Sequence, residues 1–94
     1  MARAIWNDII FAESDDVMVV DSYSHFPRDA VRWEHLEPSA HTSVCGWKGQ
    51  ATYHSIVVDG ARNPDAAWEY GDPKPDAEAV RGRIGFWRGV RIER

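Results

Sequence analysis

Residues 51–60 read ATYHSIVVDG, and this stretch decides the class of fold. β-branched and aromatic side chains dominate residues 51–58, as is typical of a strand, and Asp59-Gly60 is a frequent turn signal. Successive side chains of a strand point to opposite faces, so Tyr53 and His54 are predicted to lie on different faces of a sheet. We expect a β-sheet that contains this strand.

Shorter runs of similar composition lie on both sides of it. Residues 9–13 and 17–20 are predicted to form a β-hairpin, because the linking Ser14-Asp15-Asp16 side chains readily bond their own backbone in turns. Further strands are predicted at residues 23–26, 32–37, 66–70, 84–87 and 90–92. Turn signals recur roughly every 8 to 12 residues, so about seven or eight short strands are expected, as in an all-β barrel or sandwich.

Prolines and acidic residues indicate two short helical segments. Pro27 precedes a single predicted helical turn at residues 28–31. Residues 72–81 place prolines early, acidic residues in the first turn and Arg81 at the end, which predicts a helix of about two turns. The helical content is therefore expected to be small.

Composition indicates one domain with one core. The chain has 94 residues, 44% of them hydrophobic, and its five Trp supply bulk for a core without a disulfide. No repeat or linker interrupts the pattern, so residues 1–94 are expected to form a single domain. Fifteen acidic against eleven basic residues give a net charge of −4, which argues against a nucleic-acid partner.

The same chain lacks the signals of export and of membrane insertion. Its single Cys excludes an internal disulfide, and MARAIW at the N-terminus has no apolar core or cleavage site, so a cytoplasmic location is expected. The longest unbroken apolar runs, residues 9–12 and 17–20, are four residues each. Crossing a bilayer takes roughly 20, so no membrane partner is expected.

Residues 45–54, CGWKGQATYH, form the clearest candidate site. They place the only thiol, one of two Lys, two aromatic rings and a His beside glycines, which allow a close approach of the backbone to a ligand. Trp68 and Tyr70 lie two apart on a predicted strand and so share a face. The sequence predicts an aromatic-lined cleft for a small molecule, with these ligand-binding residues: Cys45, Trp47, Lys48, Tyr53, His54, Trp68 and Tyr70. The alternative that the rings only fill the core stays open.

Other functions use the same residues. Cys45 and Lys48 are the catalytic candidates of an enzyme, with Cys45 as the nucleophile, Lys48 lowering its pKa and His41 or His54 as the base. Cys45, His41 and His54 could hold zinc, but their spacing matches no recognised pattern, so neither a metal nor a cofactor is expected. A protein-interaction module would use exposed rings or an open sheet edge, and a homodimer is among the alternatives.

Short blocks along the whole chain resemble one bacterial family. They include Trp47-Lys48-Gly49 after Cys45, Ala66-Ala67-Trp68 with Tyr70, and Phe86-Trp87. The series is similar to the family called domain of unknown function 427, sometimes labelled nucleotidyltransferase-like. The resemblance implies an all-β, mainly antiparallel fold, a small β-tent or open-barrel or sandwich with one or two short helices. It brings no catalytic residues, and Gly46 stands where the family commonly has Pro.

The nucleotidyltransferase label finds little support in the residues. Metal-dependent nucleotidyl transfer needs carboxylates on one strand face to hold divalent cations near a phosphate-binding turn. Glu13 and Asp15 have the spacing, but they fall at a predicted turn and no Gly-Ser phosphate loop precedes them. This activity remains one form of the enzyme alternative.

Overall fold

The computed structural model describes residues 1–94 and contains nine strands and three short 3₁₀ helices. The strands are β1 Ala2–Trp6, β2 Ile9–Ser14, β3 Met18–Val20, β4 Tyr23–Pro27, β5 Leu36–Cys45, β6 Gly49–Val58, β7 Ala61–Tyr70, β8 Arg83–Phe86 and β9 Arg91–Glu93. The 3₁₀ helices are η1 Arg28–Ala30, η2 Trp33–His35 and η3 Pro75–Val80.

All strand pairs are antiparallel and form two open sheets. The smaller sheet has the order β2-β1-β9 and the larger has the order β3-β4-β8-β7-β6-β5. Neither order closes on itself, so the architecture is a sandwich and not a closed barrel. The prediction of an all-β, mainly antiparallel fold is confirmed.

The main core lies between the two sheets. Phe11 of the smaller sheet and Phe26, Ile56 and Ile84 of the larger one are fully buried in a single apolar cluster. Burying side chains of this size contributes roughly 2 to 3 kcal/mol each by area. Ile84 and Phe86 point into this core, so the alternation of β8 turns Gly85 to the other face of the larger sheet.

A second, smaller cluster covers that other face. Ala51 and Tyr53 of β6 pack there with Trp68 and Tyr70 of β7. Ala77 and Val80 from η3 complete this cluster. The larger sheet is therefore apolar on both faces, and the candidate site lies on the face turned away from the main core.

The predicted hairpin of residues 9–13 and 17–20 is wrong. β2 pairs with β1, a strand that the sequence pattern did not reveal, and β3 pairs with β4. The tight turns are Asn7-Asp8 and Asp21-Ser22, where all four residues have positive φ. Two-residue turns of this kind match the twist of a hairpin and are favoured by Asn and Asp, whereas Ser14-Asp15-Asp16 connects strands of different sheets.

Three further segments differ from prediction. The strand predicted at 32–37 is replaced by η2, and β5 then runs through Pro38 with a register shift between Pro38 and Thr42. Proline is tolerated there because β5 lies at the edge of the sheet. β7 begins at Ala61 instead of residue 66, and the predicted helix at 72–81 is the 3₁₀ helix η3, broken at Ala77.

Candidate functional site

A pocket of about 140 Å³ opens on the face of the larger sheet that is turned away from the main core. Five aromatic rings and one ammonium group line it: Tyr23, Lys48, Tyr53, Trp68, Tyr70 and Trp87. They come from β4, from the connection between β5 and β6, from β6 and β7, and from the residue after β8. Strands distant in sequence thus converge on one small apolar space.

Strand register brings the rings together. Tyr53 of β6 lies directly opposite Trp68 of β7, and Trp68 lies opposite Gly85 of β8. The indole ring of Trp68 lies over Gly85, where an added Cβ would come within 2.6 Å of the ring atom Cζ2. Tyr23 meets the Trp68 ring edge-on, with ring centroids 5.0 Å apart. The absence of a side chain at position 85 therefore allows Trp68 to form the floor of the pocket.

Hydrogen bonds hold two of the other rings. The Tyr53 hydroxyl and the Ser43 hydroxyl are 2.8 Å apart, and the His41 ring lies 4.6 Å from the Tyr53 ring. The indole N–H of Trp87 donates to the Asp65 carbonyl at 2.7 Å. Each of these bonds satisfies a polar atom of an amphipathic ring and restricts its rotation.

Lys48 brings the only charge into the lining. Its side chain is 7% exposed, and Nζ donates to Asp21 Oδ2 at 2.9 Å. The ammonium group also lies 5.1 Å from the centroid of the Tyr70 ring and 5.5 Å from that of Trp47. Burial, the largest single effect, lowers the pKa of Lys48, but the hydrogen bond to Asp21 and the charges of Tyr70, Asp21 and Cys45 together outweigh burial, so the pKa is raised. Lys48 is thus a cation at neutral pH.

Asp21 reaches Lys48 from the turn between β3 and β4. The residue has a φ of 52°, a left-handed conformation that Asp tolerates better than most residues. The hydrogen bond from Lys48 lowers the pKa of Asp21, whose side chain is 52% exposed. The ion pair consequently joins a buried ammonium group to a carboxylate that is still in water.

Behind Trp68 lies a buried histidine. His25 is 1% exposed, its ring meets Trp68 edge-on at 5.9 Å, and its Nε2 has no hydrogen-bond partner. Burial lowers the pKa of His25 to about 4, and the nearby positive charge of Lys48 acts in the same direction. His25 is neutral at physiological pH, and its uncharged ring packs against Trp68, the floor of the pocket.

Four of the seven residues predicted to bind a ligand line the pocket: Lys48, Tyr53, Trp68 and Tyr70. Cys45 is half-buried and packs against the same cluster without lining the pocket. Trp47 is 42% exposed and lies over Lys48. His54 is on the opposite face of β6, where its ring contacts Trp33, so it does not join the others.

Sequence reasoning missed Tyr23 and Trp87. Tyr23 lies two residues before His25 on a predicted strand, and alternation alone places both on one face. Nothing in the sequence shows that this face is the one carrying Trp68. Trp87 lies just after β8 and two residues after Gly85, so alternation places both on one face, but the sequence does not show what that face contacts; its indole N–H donates to the Asp65 carbonyl.

A family model described as "Domain of unknown function (DUF427)" matches residues 1–94. The chain belongs to the DUF427 family. A comparison with curated proteins gives no match. For this DUF427 chain, the family supplies a classification without an activity.

The carboxylates considered for metal-dependent transfer in this DUF427 chain do not form a metal site. Glu13 pairs with Arg3, and Asp15 lies 3.3 Å from the N-terminal amine. No group of three or more His, Cys, Asp or Glu residues is arranged to hold a metal ion. The three residues considered as zinc ligands do not come together. The His41 ring packs on Tyr53, whereas His54 points to the opposite face of β6.

None of the helices has the length and hydrophobicity required to cross a bilayer.

Proposed function

We propose that this domain binds a small planar molecule, about one ring in size, in the aromatic pocket. The observation that carries the proposal is a recess of about 140 Å³ lined by five aromatic side chains and Lys48. An engineered apolar cavity of about 150 Å³ holds one benzene molecule, whereas pockets for drug-sized ligands measure roughly 300 to 1,000 Å³. The volume thus limits the ligand to a single ring with a small substituent.

The orientation of the rings supports the same ligand. Trp68 meets both Tyr23 and Trp87 edge-on, with ring centroids 5.0 and 5.6 Å apart, so both faces and edges of rings border the space. A planar guest ring can then find offset-stacked or edge-to-face contacts on several sides. Lys48 offers a hydrogen-bond donor at the wall, which would fix the position of a polar substituent.

Titration with single-ring compounds, followed by NMR, tests the proposal. Benzoate, benzamide and phenol are suitable probes, and we expect saturable shifts of the Trp68 and Trp87 indole N–H signals with dissociation constants of about 0.1 to 1 mM. Tyr23→Ala should weaken binding because it removes one wall. Met18→Ala is the matched control, since Met18 and Tyr23 are both 39% exposed and Met18 is outside the lining. If no single-ring compound gives local, saturable shifts, the proposal is wrong.

The enzyme alternative draws less support from the same geometry. Lys48 is held as a cation by Asp21 and so lacks the free amine lone pair that a nucleophile needs. His54 faces away from the pocket, and the His41 ring packs on Tyr53. Iodoacetamide alkylation of Cys45 provides the test: modification of the folded protein faster than that of the urea-unfolded chain would favour a nucleophilic Cys45.

A further inference from the structure

We propose that Lys48 makes the pocket selective for an anionic ring, a monocyclic carboxylate whose acidic group binds the ammonium while its ring lies among the aromatic side chains. This inference rests on the proposed function, since it names the class of ligand that the same pocket takes. The observation behind it is a charged group inside an otherwise aromatic lining.

The ammonium group has unused hydrogen-bonding capacity. An ammonium group carries three N–H donors: Asp21 accepts from one at 2.9 Å, and the Tyr70 hydroxyl is within hydrogen-bonding reach of a second. The Tyr70 and Trp47 rings, 5.1 and 5.5 Å from Nζ, attract the cation but accept no conventional hydrogen bond from it. A ligand carboxylate entering the pocket would therefore meet a donor that neither Asp21 nor Tyr70 uses.

Burial makes that encounter strong. The Lys48 side chain is 7% exposed, while its partner Asp21 is 52% exposed and remains hydrated. Opposite charges attract more strongly where water is excluded, so a carboxylate inside the pocket gains more from Lys48 than one at the surface does. Asp21 acts as the internal counter-ion that a ligand carboxylate competes with.

The same charge disfavours cationic ligands. Aromatic cages commonly bind ammonium groups because ring faces attract positive charge. The Tyr70 ring in the pocket lining and the Trp47 ring outside it already have the Lys48 ammonium within reach. A second cation would be repelled by Lys48 at short range, and this repulsion would select against it.

Benzoate, benzamide and benzamidine test the inference, because they share one shape and differ in charge. For the wild-type protein we expect benzoate to bind about tenfold more tightly than benzamide, with benzamidine the weakest. Lys48→Met should reduce the preference for benzoate over benzamide to about twofold or less while the affinity for benzamide stays within about threefold. Lys48→Arg should keep the preference, and Asp21→Asn should strengthen benzoate binding several-fold, about threefold or more, by removing the competing carboxylate.

The outcomes separate the two proposals. Equal affinity for the three compounds, or a Lys48→Met protein that keeps the roughly tenfold preference for benzoate over benzamide, overturns the charge selectivity and leaves the aromatic pocket standing. Failure of all three compounds to bind overturns the pocket function itself, and the selectivity with it. If Lys48→Met does not fold, the ranking of the three compounds on the wild-type protein and on Asp21→Asn still decides the inference.

Discussion

Gly85 lies directly beneath the indole ring of Trp68, its partner across β7 and β8. On its other side Gly85 is paired with His25 of β4. Because Gly85 has no side chain, the Trp68 ring of β7 fills the space above it. The His25 ring of β4 borders the same space. The floor of the pocket depends on a missing side chain as much as on the rings themselves.

Gly85→Ala should destabilise the protein and disturb the pocket. The new Cβ would lie 2.6 and 2.7 Å from two atoms of the Trp68 ring and 3.2 Å from His25, so the ring must shift. Overpacking of this kind typically costs about 1 to 3 kcal/mol in the free energy of unfolding, which urea denaturation measures. Gly46→Ala is the control because nothing lies within 4 Å of its added Cβ, and it should change stability by no more than about 0.5 kcal/mol. Equal effects of the two substitutions would contradict this account of the floor.

Stability should decrease as the pH falls from about 6.5 to about 4, owing to His25. The pKa of His25 is about 4 in the folded protein and near 6.5 when unfolded, so over this range the unfolded chain binds a proton that the folded one does not. The free energy of unfolding is therefore expected to fall by about 3 kcal/mol at the lower end of this pH range. Burial also lowers the pKa of His54, which adds to the loss of stability in the same direction.

His25→Gln should flatten this pH dependence, measured as urea unfolding at a series of pH values. Charged groups near His25 are Lys48, Arg83 and Asp21, which stay in place in the variant. His41→Gln, at an exposed position, serves as the control and should keep the slope of the wild-type protein. Direct NMR titration of the His25 ring gives an independent check, and a midpoint near 6.5 would refute the prediction.

The bond between Tyr53 and Ser43 should contribute about 1 kcal/mol to stability. Tyr53→Phe and Ser43→Ala each remove one hydroxyl of the 2.8 Å contact, and the double variant should cost little more than either single one. Chemical denaturation of the four proteins gives the coupling energy. Tyr23→Phe is the control, since Tyr23 is 39% exposed, and we expect a change below about 0.5 kcal/mol. Strict additivity of the two substitutions would show that the contact does not stabilise the fold.

Arg28→Lys should be more destabilising than the same change at Arg62. The Arg28 guanidinium lies 4.5 Å from the centroid of the Trp33 ring and also pairs with Glu69, whereas Arg62 pairs with Glu37 at the surface. Lysine keeps the charge but loses the planar stacking, so we expect a loss of about 1 kcal/mol at position 28 and about 0 to 0.5 kcal/mol at position 62. Thermal unfolding of both variants measures the difference, and a larger effect at position 62 would contradict the stacking.

Local composition was sufficient where β-branched and aromatic residues dominate a strand. The structure contains residues 51–58 in β6 with Tyr53 and His54 on opposite faces, as predicted. The pattern failed at the hairpins, because the conformation of the turn residues decides which strands are joined. Left-handed conformations at Asn7-Asp8 and Asp21-Ser22 close the hairpins, and these residues carry no apolar signal.

The candidate site was predictable in part for the same reason. Tyr53 and Lys48 belong to the segment that composition singles out, and Trp68 and Tyr70 share a face by simple alternation. Tyr23 and Trp87 could not be assigned, because their approach depends on which strands become neighbours. His54 was included through nearness in sequence, although its own strand turns it away from the pocket.

The amino-acid sequence by itself determined the all-β class, the family and four of the six residues that line the pocket, because side-chain periodicity and residue type are local properties. Only the tertiary structure decided that β4 and β7 lie on either side of β8, and that Gly85 therefore leaves room for Trp68. Strand order is set by long-range burial of two apolar faces and by hairpin turns. No single stretch of sequence contains all the strands that line the pocket, so the pocket exists only after the sheet has formed.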